Sequence, residues 1–156
     1  MMTLKIKTSI TAVVASAVFS FIAMGASIAA NSPVPGWDPN AFTDQHTLEI
    51  MTTAPDEGEH WSKVWLVVMD GQLYVRLGER SFGRIQKNTT NPYLKVKVGD
   101  QEFDRVRWEP ALDMKDKVAA AMADKYFMDI LLRHASHPMT ARLVAEPTPE
   151  PTGTSK

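Results

Sequence analysis

The chain has 156 residues, 44% of them hydrophobic, and a formal net charge of −1. This length suits one domain and is too short for two of ordinary size. There is no cysteine, which excludes disulfides, thiolate zinc sites, a lipid-modified N-terminal cysteine and covalent c-type haem attachment. The slightly acidic balance argues against a general binder of nucleic acids or membrane surfaces.

Residues 1–30 have the pattern of a secretory signal peptide. Lys5 and Lys7 form a short positive region, residues 10–30 carry no charge, and small residues gather near Ala29 and Ala30. We therefore expect cleavage after one of these two alanines and a periplasmic or secreted product. The alternative is an uncleaved anchor, because an uncharged run of about 20 residues can cross a hydrocarbon core.

The exported part is predicted to contain one folded domain between two irregular ends. Without Lys5 and Lys7, the 17 basic residues fall to 15 against 18 acidic ones, a net charge of about −3. Residues 31–45 indicate a loop with a short helical turn, which Asp38 caps and Pro39 begins. Residues 146–156 are rich in Pro, Thr and Glu, and this composition predicts a disordered tail. The domain itself should span residues 46–145.

The strongest local pattern is a hairpin. Residues 64–69 and 73–77 are β-branched and aromatic runs joined by Asp70-Gly71, a dipeptide that supplies the positive φ angles of a tight turn. Alternating hydrophobic residues predict further strands at residues 47–53, 93–98, 102–108 and 140–145.

A helical period from residue 111 or 113 to about Arg133 predicts one long helix. The polar residues 81–88 predict a short helix or turn. Five or six mostly antiparallel strands with a late helix indicate a mainly β fold, a small β-barrel with helical decoration.

The second strand of the hairpin ends in a basic segment that contains one acid, Glu79. Its basic members are Arg76, Arg80, Arg84, Lys87, Lys95 and Lys97. The local charge of about +5 predicts an anionic ligand, and guanidinium groups beside the Ser81 hydroxyl suit a phosphate. The alternative is a solvated basic face that keeps an edge strand from aggregating.

Several stretches together resemble a known group of proteins. They are residues 65–76, Ser81 with Arg84, the hairpin of residues 96–108, Asp124-Lys125-Tyr126, and residues 140–144. They resemble the pyridoxamine-phosphate-oxidase-like split-barrel superfamily and, within it, the DUF2255 family. The resemblance covers nearly all of residues 46–145.

The resemblance implies a split β-barrel of the flavin-reductase type and a homodimer. It also implies that FMN, a deazaflavin or haem lies in the groove between the subunits. The phosphate-holding positions map to Arg76, Ser81 and Arg84, with Lys63 on the neighbouring strand and Lys87 further away. Arg80 is a further candidate ligand from the basic segment itself. The chain departs from the DUF2255 pattern at Phe82-Gly83, where bulkier residues are expected, so the likeness is weaker for ring stacking than for phosphate binding.

Aromatic and histidine residues leave two interpretations each. Trp61, Trp65 and Trp108 fit the core of a small barrel better than a ring-binding wall, although Trp65 is kept as a candidate cofactor contact. His134 and His137, three residues apart, can reach one metal ion or haem iron, but capping of a helix end is the simpler role.

No metal site is predicted, because the acidic residues beside His60 (Asp56, Glu57 and Glu59) fit a solvated turn. No hydrolase or nucleotide-triphosphatase motif occurs, so any catalysis has to come from a bound cofactor. Two functions remain open. One is an exported, oxidoreductase-like protein that binds FMN or a deazaflavin, and the other is a non-catalytic binding module for a small anionic ligand or haem.

Overall fold

A computed structural model describes residues 34–126 and 137–149. The predicted signal segment and the tail beyond residue 149 lie outside these ranges. The described strands are β1 (Thr47–Ala54), β2 (Gly58–Met69), β3 (Gln72–Leu77), β4 (Tyr93–Val98), β5 (Gln101–Pro110) and β6 (Met139–Ala145). The described α-helices are α1 (Glu79–Lys87) and α2 (Lys115–Lys125), and 3-10 turns lie at Pro39–Phe42 and Leu112–Met114.

The six described strands form a closed antiparallel barrel in the order β1-β2-β3-β6-β5-β4, which confirms the predicted mainly β barrel. The predicted hairpin joins β2 to β3. Its turn residues Asp70 and Gly71 have φ angles of 50° and 69°. Because closure gives every described strand a partner on both sides, the basic segment protects no free edge here, so the edge-protection part of that alternative is wrong. A solvated basic face stays a prediction.

The barrel interior is filled by alternate residues of each strand. β1 shows the alternation most simply, since Leu48 and Ile50 are buried while Glu49 and Met51 are partly exposed. Each fully buried aliphatic side chain contributes about 1.5–3 kcal/mol. The largest fully buried side chains are Leu48, Ile50, Leu66, Leu73, Leu77, Ile85, Leu94, Met122, Leu143, Val75, Val96 and Val98.

Helix α2 lies on the outer face of the barrel rather than at its end. Val118 and Met122 of α2 pack with Val67 of β2 and Tyr74 of β3 in a second, smaller hydrophobic cluster. Neither α1 nor α2, the helices of the described ranges, is long and apolar enough to cross a membrane.

Two predicted boundaries need correction. The long helix was expected to run to Arg133, but α2 stops at Lys125 and Tyr126 has extended angles of φ −119° and ψ 102°. The Tyr126 hydroxyl donates to the carbonyl oxygens of His46, at 2.6 Å, and Leu66, at 2.5 Å. These contacts anchor the helix end to the barrel. Residues 127–136 lie outside the described ranges.

The loop before the hairpin is also shorter than predicted. Its last residues pair with β1, as far as Ala54 opposite Gly58, so β2 already begins at Gly58.

Candidate functional site

A cavity of about 230 Å³ opens on the outer face of the barrel beside α2, and we call it the Arg76 cavity. Its lining residues are Lys63, Val64, Trp65, Arg76, Gly78, Ser81, Met122 and His137. Lys63 and Trp65 alternate on β2 with buried Val64 and Leu66, so both face outward. Arg76 faces outward on β3 between buried Val75 and Leu77.

The polar groups of the Arg76 cavity suit an anion. Lys63 and Arg76 supply two cations, and the fork of a guanidinium matches the oxygens of a phosphate or carboxylate. Ser81 lies in the first turn of α1, whose N-cap, Gly78, makes no side-chain capping hydrogen bond. The N–H groups of that turn and the positive end of the helix dipole therefore add to the attraction for an anion.

Trp65 forms a flat wall of this cavity and is held from behind. Its indole stacks on the ring of Tyr126, with centroids 5.1 Å apart and planes 17° apart. The adjacent Lys125 Nζ donates to the carbonyl oxygens of Thr43, at 2.8 Å, and Gln45, at 2.5 Å. The end of α2 is thus tied to both β2 and the segment before β1, which fixes the back of the indole.

Trp61 and Trp108, the other two tryptophans predicted to lie in the core, differ from each other. Trp108 packs against the barrel core, as predicted. Trp61 is 40% exposed, so its interpretation as a core residue is wrong. Trp61 faces away from the barrel interior because it pairs with Met51 at an outward-facing position of the β1–β2 ladder.

Three of the predicted phosphate ligands do not line the cavity. Arg80 is exposed on α1. Arg84 Nε lies 3.0 Å from both carboxylate oxygens of Glu57, and Lys87 Nζ lies 3.5 Å from Asp56. Hydrogen bonds from Arg84 hold the pKa of Glu57 below its usual range, and the same bonds raise the pKa of Arg84.

The predicted site therefore divides into two groups. The structure brings Lys63, Trp65, Arg76 and Ser81 together in one cavity. Arg84 and Lys87 instead face the carboxylates of the β1–β2 loop, which sequence analysis had treated as solvated. Within the described ranges, no group of three or more His, Asp or Glu side chains has an arrangement that could hold a metal ion.

The rest of the basic segment lies on β4. Lys95 Nζ is 2.5 Å from Glu102 and 3.2 Å from Asp104, and hydrogen bonds to these carboxylates raise its pKa. Lys97 lines a second cavity of about 220 Å³, which we call the Lys97 cavity. Its other lining residues are Gln45, Thr47, Leu48, Glu49, Lys63 and Gly99.

The sequence did not indicate Met122 as a cavity residue, and it indicated His137 only as a helix cap or an iron ligand, with no link to the basic residues. His137 comes two residues before Met139, which pairs with Leu77 at the end of β3. Once the pairing of β3 with β6 is known, His137 has to lie near Gly78 and therefore near the cavity. No local pattern predicts that pairing, because more than 60 residues separate the two strands.

No family model matches the chain, and no curated protein matches it in sequence. Its three-dimensional structure is similar to HutZ, the haem storage protein from Vibrio cholerae, at 17% identity and a TM-score of 0.53, over 70% of this chain and 88% of that one. It is also similar to an F420-H2-dependent reductase, at 10% identity and a TM-score of 0.50, over 64% and 94%.

The chain has the split-barrel fold. A conserved hypothetical protein from Mycobacterium tuberculosis is similar as well, at 15% identity and a TM-score of 0.50, over 69% of this chain and 77% of that one. Identities this low establish the fold and no activity. Membership of the DUF2255 family stays a prediction.

Proposed function

We propose that the protein binds a phosphate-bearing flavin-type cofactor, FMN or a deazaflavin, in the Arg76 cavity. Arg76, Lys63 and Ser81 hold the phosphate, and the ring system lies against Trp65. The observation that carries this proposal is the meeting of two cations, a hydroxyl and a fixed indole wall in one cavity. The similarity to a haem storage protein and to a deazaflavin-dependent reductase supports cofactor binding on this fold.

The bound cofactor would supply the redox chemistry, while this chain's residues bind and orient it. Arg76 and Lys63 neutralise the phosphate charge. Trp65, stacked on Tyr126, keeps the ring plane fixed and shields one face from water. Oxidoreductase-like activity would depend on the bound cofactor.

The size of the Arg76 cavity supports a homodimer. About 230 Å³ is less than the roughly 300–1,000 Å³ typical of small-molecule sites, so one subunit encloses only part of a flavin. We propose that a second copy covers the remainder. The exposed Trp61 and the partly exposed Met51 beside it on the same outer face supply apolar surface for that contact.

The alternative function is a non-catalytic binding module for haem or another small anionic ligand. One observation favours haem, namely that His137 lines the cavity, and histidine is a common axial ligand of haem iron. Haem propionates would take the place of the phosphate at Arg76 and Lys63.

Export is also proposed, from the pattern of residues 1–30. No twin-arginine pair precedes residue 10, so the chain is expected to cross the membrane unfolded and to acquire its cofactor afterwards. Mass spectrometry of the protein from its own compartment tests this. A product beginning at Met1 would contradict cleavage.

The test of cofactor type is the absorbance spectrum from 350 to 500 nm of protein purified from its own compartment, followed by titration with FMN, a deazaflavin and haem. A bound flavin or deazaflavin spectrum supports the first function. A Soret band supports the second. Failure of all three ligands to bind contradicts flavin and haem binding in this cavity, and favours a small anionic ligand without a chromophore.

A further inference from the structure

A further cavity, of about 230 Å³, lies where β3, β5 and β6 meet the 3-10 turn before α2, and we call it the Tyr74 cavity. It shares no lining residue with the Arg76 cavity. Its volume is below the roughly 300–1,000 Å³ typical of small-molecule sites, so its occupant has to be small. Its polar groups come from Tyr74, Glu109, Asp113 and Arg142, and apolar walls from Ala111 and Met114.

The register of the barrel brings three of these polar side chains together. Tyr74 of β3 pairs with Arg142 of β6, and Arg142 pairs in turn with Glu109 of β5. Residues that pair directly across a ladder point to the same face, and neighbouring strands lie about 4.8 Å apart. The three side chains therefore form one compact outward row.

Glu109 already has partners for both of its carboxylate oxygens. Its Oε1 lies 2.7 Å from Arg107 Nη2, and its Oε2 accepts from Arg142 Nε at 2.9 Å and from Arg142 Nη2. These contacts occupy one edge of the Arg142 guanidinium. The Nη1 group on the other edge has no hydrogen-bond partner among the residues that the structure describes, and the Arg142 side chain is 41% exposed. That edge is available to an anionic group.

Asp113 is the carboxylate of this cavity that forms no ion pair within the described ranges. It lies in the 3-10 turn, which the Ala111 N–H ties to β6 by donating to the Thr140 carbonyl oxygen at 2.9 Å. Hydrogen bonds to Glu109 raise the pKa of Arg142, and the nearby Asp113 acts in the same direction. Asp113 and Arg142 are thus close without being paired, which leaves room for a ligand between them.

Tyr74 brings a hydroxyl group to the same cavity. The residue is only 6% exposed, because its ring packs with Val67, Val118 and Met122 in the smaller hydrophobic cluster. It nevertheless lines the cavity, and its hydroxyl makes no hydrogen bond with any described residue. Buried phenols usually have a hydrogen-bond partner, so a ligand here would supply one that the chain does not.

The charges around the cavity are balanced. Arg107 and Arg142 carry two positive charges, and Glu109 and Asp113 carry two negative ones. Beyond Arg107 the network continues to one more arginine and one more glutamate, which leaves the balance unchanged. An occupant with one net charge would disturb this balance, whereas a molecule with one charge of each sign would not.

We propose that the Tyr74 cavity binds a small amino acid in its zwitterionic form. Its carboxylate accepts from Arg142 Nη1 and from the Tyr74 hydroxyl, and its ammonium group donates to Asp113. Met114 and Ala111 then contact the ligand's side chain, which favours a short apolar one. This site is separate from the proposed cofactor site and does not depend on it.

The test compares three probes of nearly the same shape. They are L-alanine, isobutyrate, in which a methyl group replaces the ammonium, and isopropylamine, in which a methyl group replaces the carboxylate. Binding to the purified protein is followed by NMR, with the Met114 methyl group reporting on the Tyr74 cavity and the Ser81 amide on the Arg76 cavity. We expect L-alanine to shift Met114 but not Ser81. It should bind about tenfold tighter than either other probe, since one charge-assisted contact has about that effect.

The informative variant is Asp113→Asn, and Asp116→Asn is its matched control, because Asp116 is exposed three residues further on and does not line the cavity. Asp113→Asn should weaken the binding of L-alanine about tenfold, and Asp116→Asn should leave it unchanged. Tyr74→Phe should weaken it about two- to tenfold through loss of the hydroxyl. Unchanged spectral dispersion confirms that the variants fold.

The proposal is overturned if L-alanine at millimolar concentration does not shift Met114, or if it shifts Ser81 instead. Equal affinity for L-alanine and either of the other two probes would overturn the zwitterionic class of ligand. Equal effects of Asp113→Asn and Asp116→Asn would overturn the role given to Asp113 and, with it, the site.

Discussion

Arg76 and Arg84 belong to the same basic segment but have different surroundings. Arg76 lines a cavity with Lys63 and Ser81, whereas Arg84 makes paired hydrogen bonds to the carboxylate of Glu57. Arg84 lies outside the cavity, and its pair with Glu57 would have to separate before Arg84 could bind a phosphate. The two arginines therefore provide a matched comparison.

Replacing Arg76 with Gln should weaken FMN binding by about 10- to 150-fold, the effect of losing a charge-assisted contact of about 1.5–3 kcal/mol. Arg84→Gln should change FMN affinity by less than about twofold, because its partner is Glu57. Calorimetric titration of both variants measures the difference. Comparable losses in the two would mean that the cavity is not the phosphate site.

Asn88 connects three elements through one side chain. Its Oδ1 accepts from the Thr53 amide at 2.8 Å, and its Nδ2 donates to the Tyr93 carbonyl oxygen at 2.8 Å. The residue follows α1 directly and is buried, with 6% exposure. One amide thus holds the end of α1 against β1 and the start of β4.

Asn88→Ala should lower the free energy of unfolding by about 1–3 kcal/mol, because it leaves the part-buried Thr53 N–H without its partner and removes one of two donors to the Tyr93 carbonyl oxygen. The control is Gln86→Ala on the exposed face of α1, which should shift it by about 0.5 kcal/mol or less. Urea denaturation of both variants gives the comparison. Equal midpoints for Asn88→Ala and the wild type would show that this amide is not structural.

At the scale of elements, the attachment of α2 depends on Tyr126. Burial raises the pKa of Tyr126, although the hydrogen bond to Leu66 acts against it. Because the pKa of Tyr126 is higher in the folded state, the buried phenol contributes fully to the free energy of unfolding below its unfolded-state pKa of about 10. That contribution is lost as the pH rises through the folded-state pKa. Burial lowers the pKa of the neighbouring Lys125, which changes stability in the opposite direction at high pH.

Tyr126→Phe should cost about 1–2 kcal/mol at pH 8, since it removes a hydroxyl that donates to two carbonyl oxygens. Above pH 10 the difference in free energy of unfolding between the wild type and this variant should decrease. The effect of Lys125 cancels in the comparison, because both proteins contain it. Urea denaturation at pH 8 and pH 10.5 measures the advantage. A constant difference would contradict the buried-phenol interpretation.

The sequence predicts those features of the fold that depend on interactions between residues close together in the chain. The turn at Asp70-Gly71 and the alternation in β1 depend on neighbouring residues, so the sequence alone indicates them. The partner of Arg84 is 27 residues away, and Glu49 lies between Lys63 and Lys97 only because β1 pairs with both β2 and β4. A list of basic residues does not contain that information.

The end of α2 also depends on contacts between residues that are far apart in the chain. The hydrophobic period continues past Lys125, so it predicts a longer helix. Contacts of Lys125 and Tyr126 with carbonyl oxygens some 60 to 80 residues earlier in the chain end α2 there instead. Tertiary contacts, which periodicity does not register, decide that boundary.

For the whole molecule, the proposed homodimer makes a prediction about Trp61. Trp61→Glu places a charge beside Met51 on the proposed contact surface and should shift the protein from dimer to monomer at micromolar concentration. Glu59→Gln, exposed on the same strand, is the control. Sedimentation velocity distinguishes the species. A wild-type protein that is monomeric at this concentration would contradict the dimer and the idea that a second copy completes the site.

Closure of the barrel also has a kinetic consequence. β3 pairs with β6 and β1 pairs with β4, so two of the six ladders join segments that are about 40 to 70 residues apart in the chain. Topologies with such distant pairings fold slowly, on the scale of milliseconds to seconds. Residue 137 and β6 have to be available before the wall around Arg76 is complete. The ligand proposed for the Arg76 cavity can therefore bind only after β6, near the end of the chain, has been synthesised and has paired with β3.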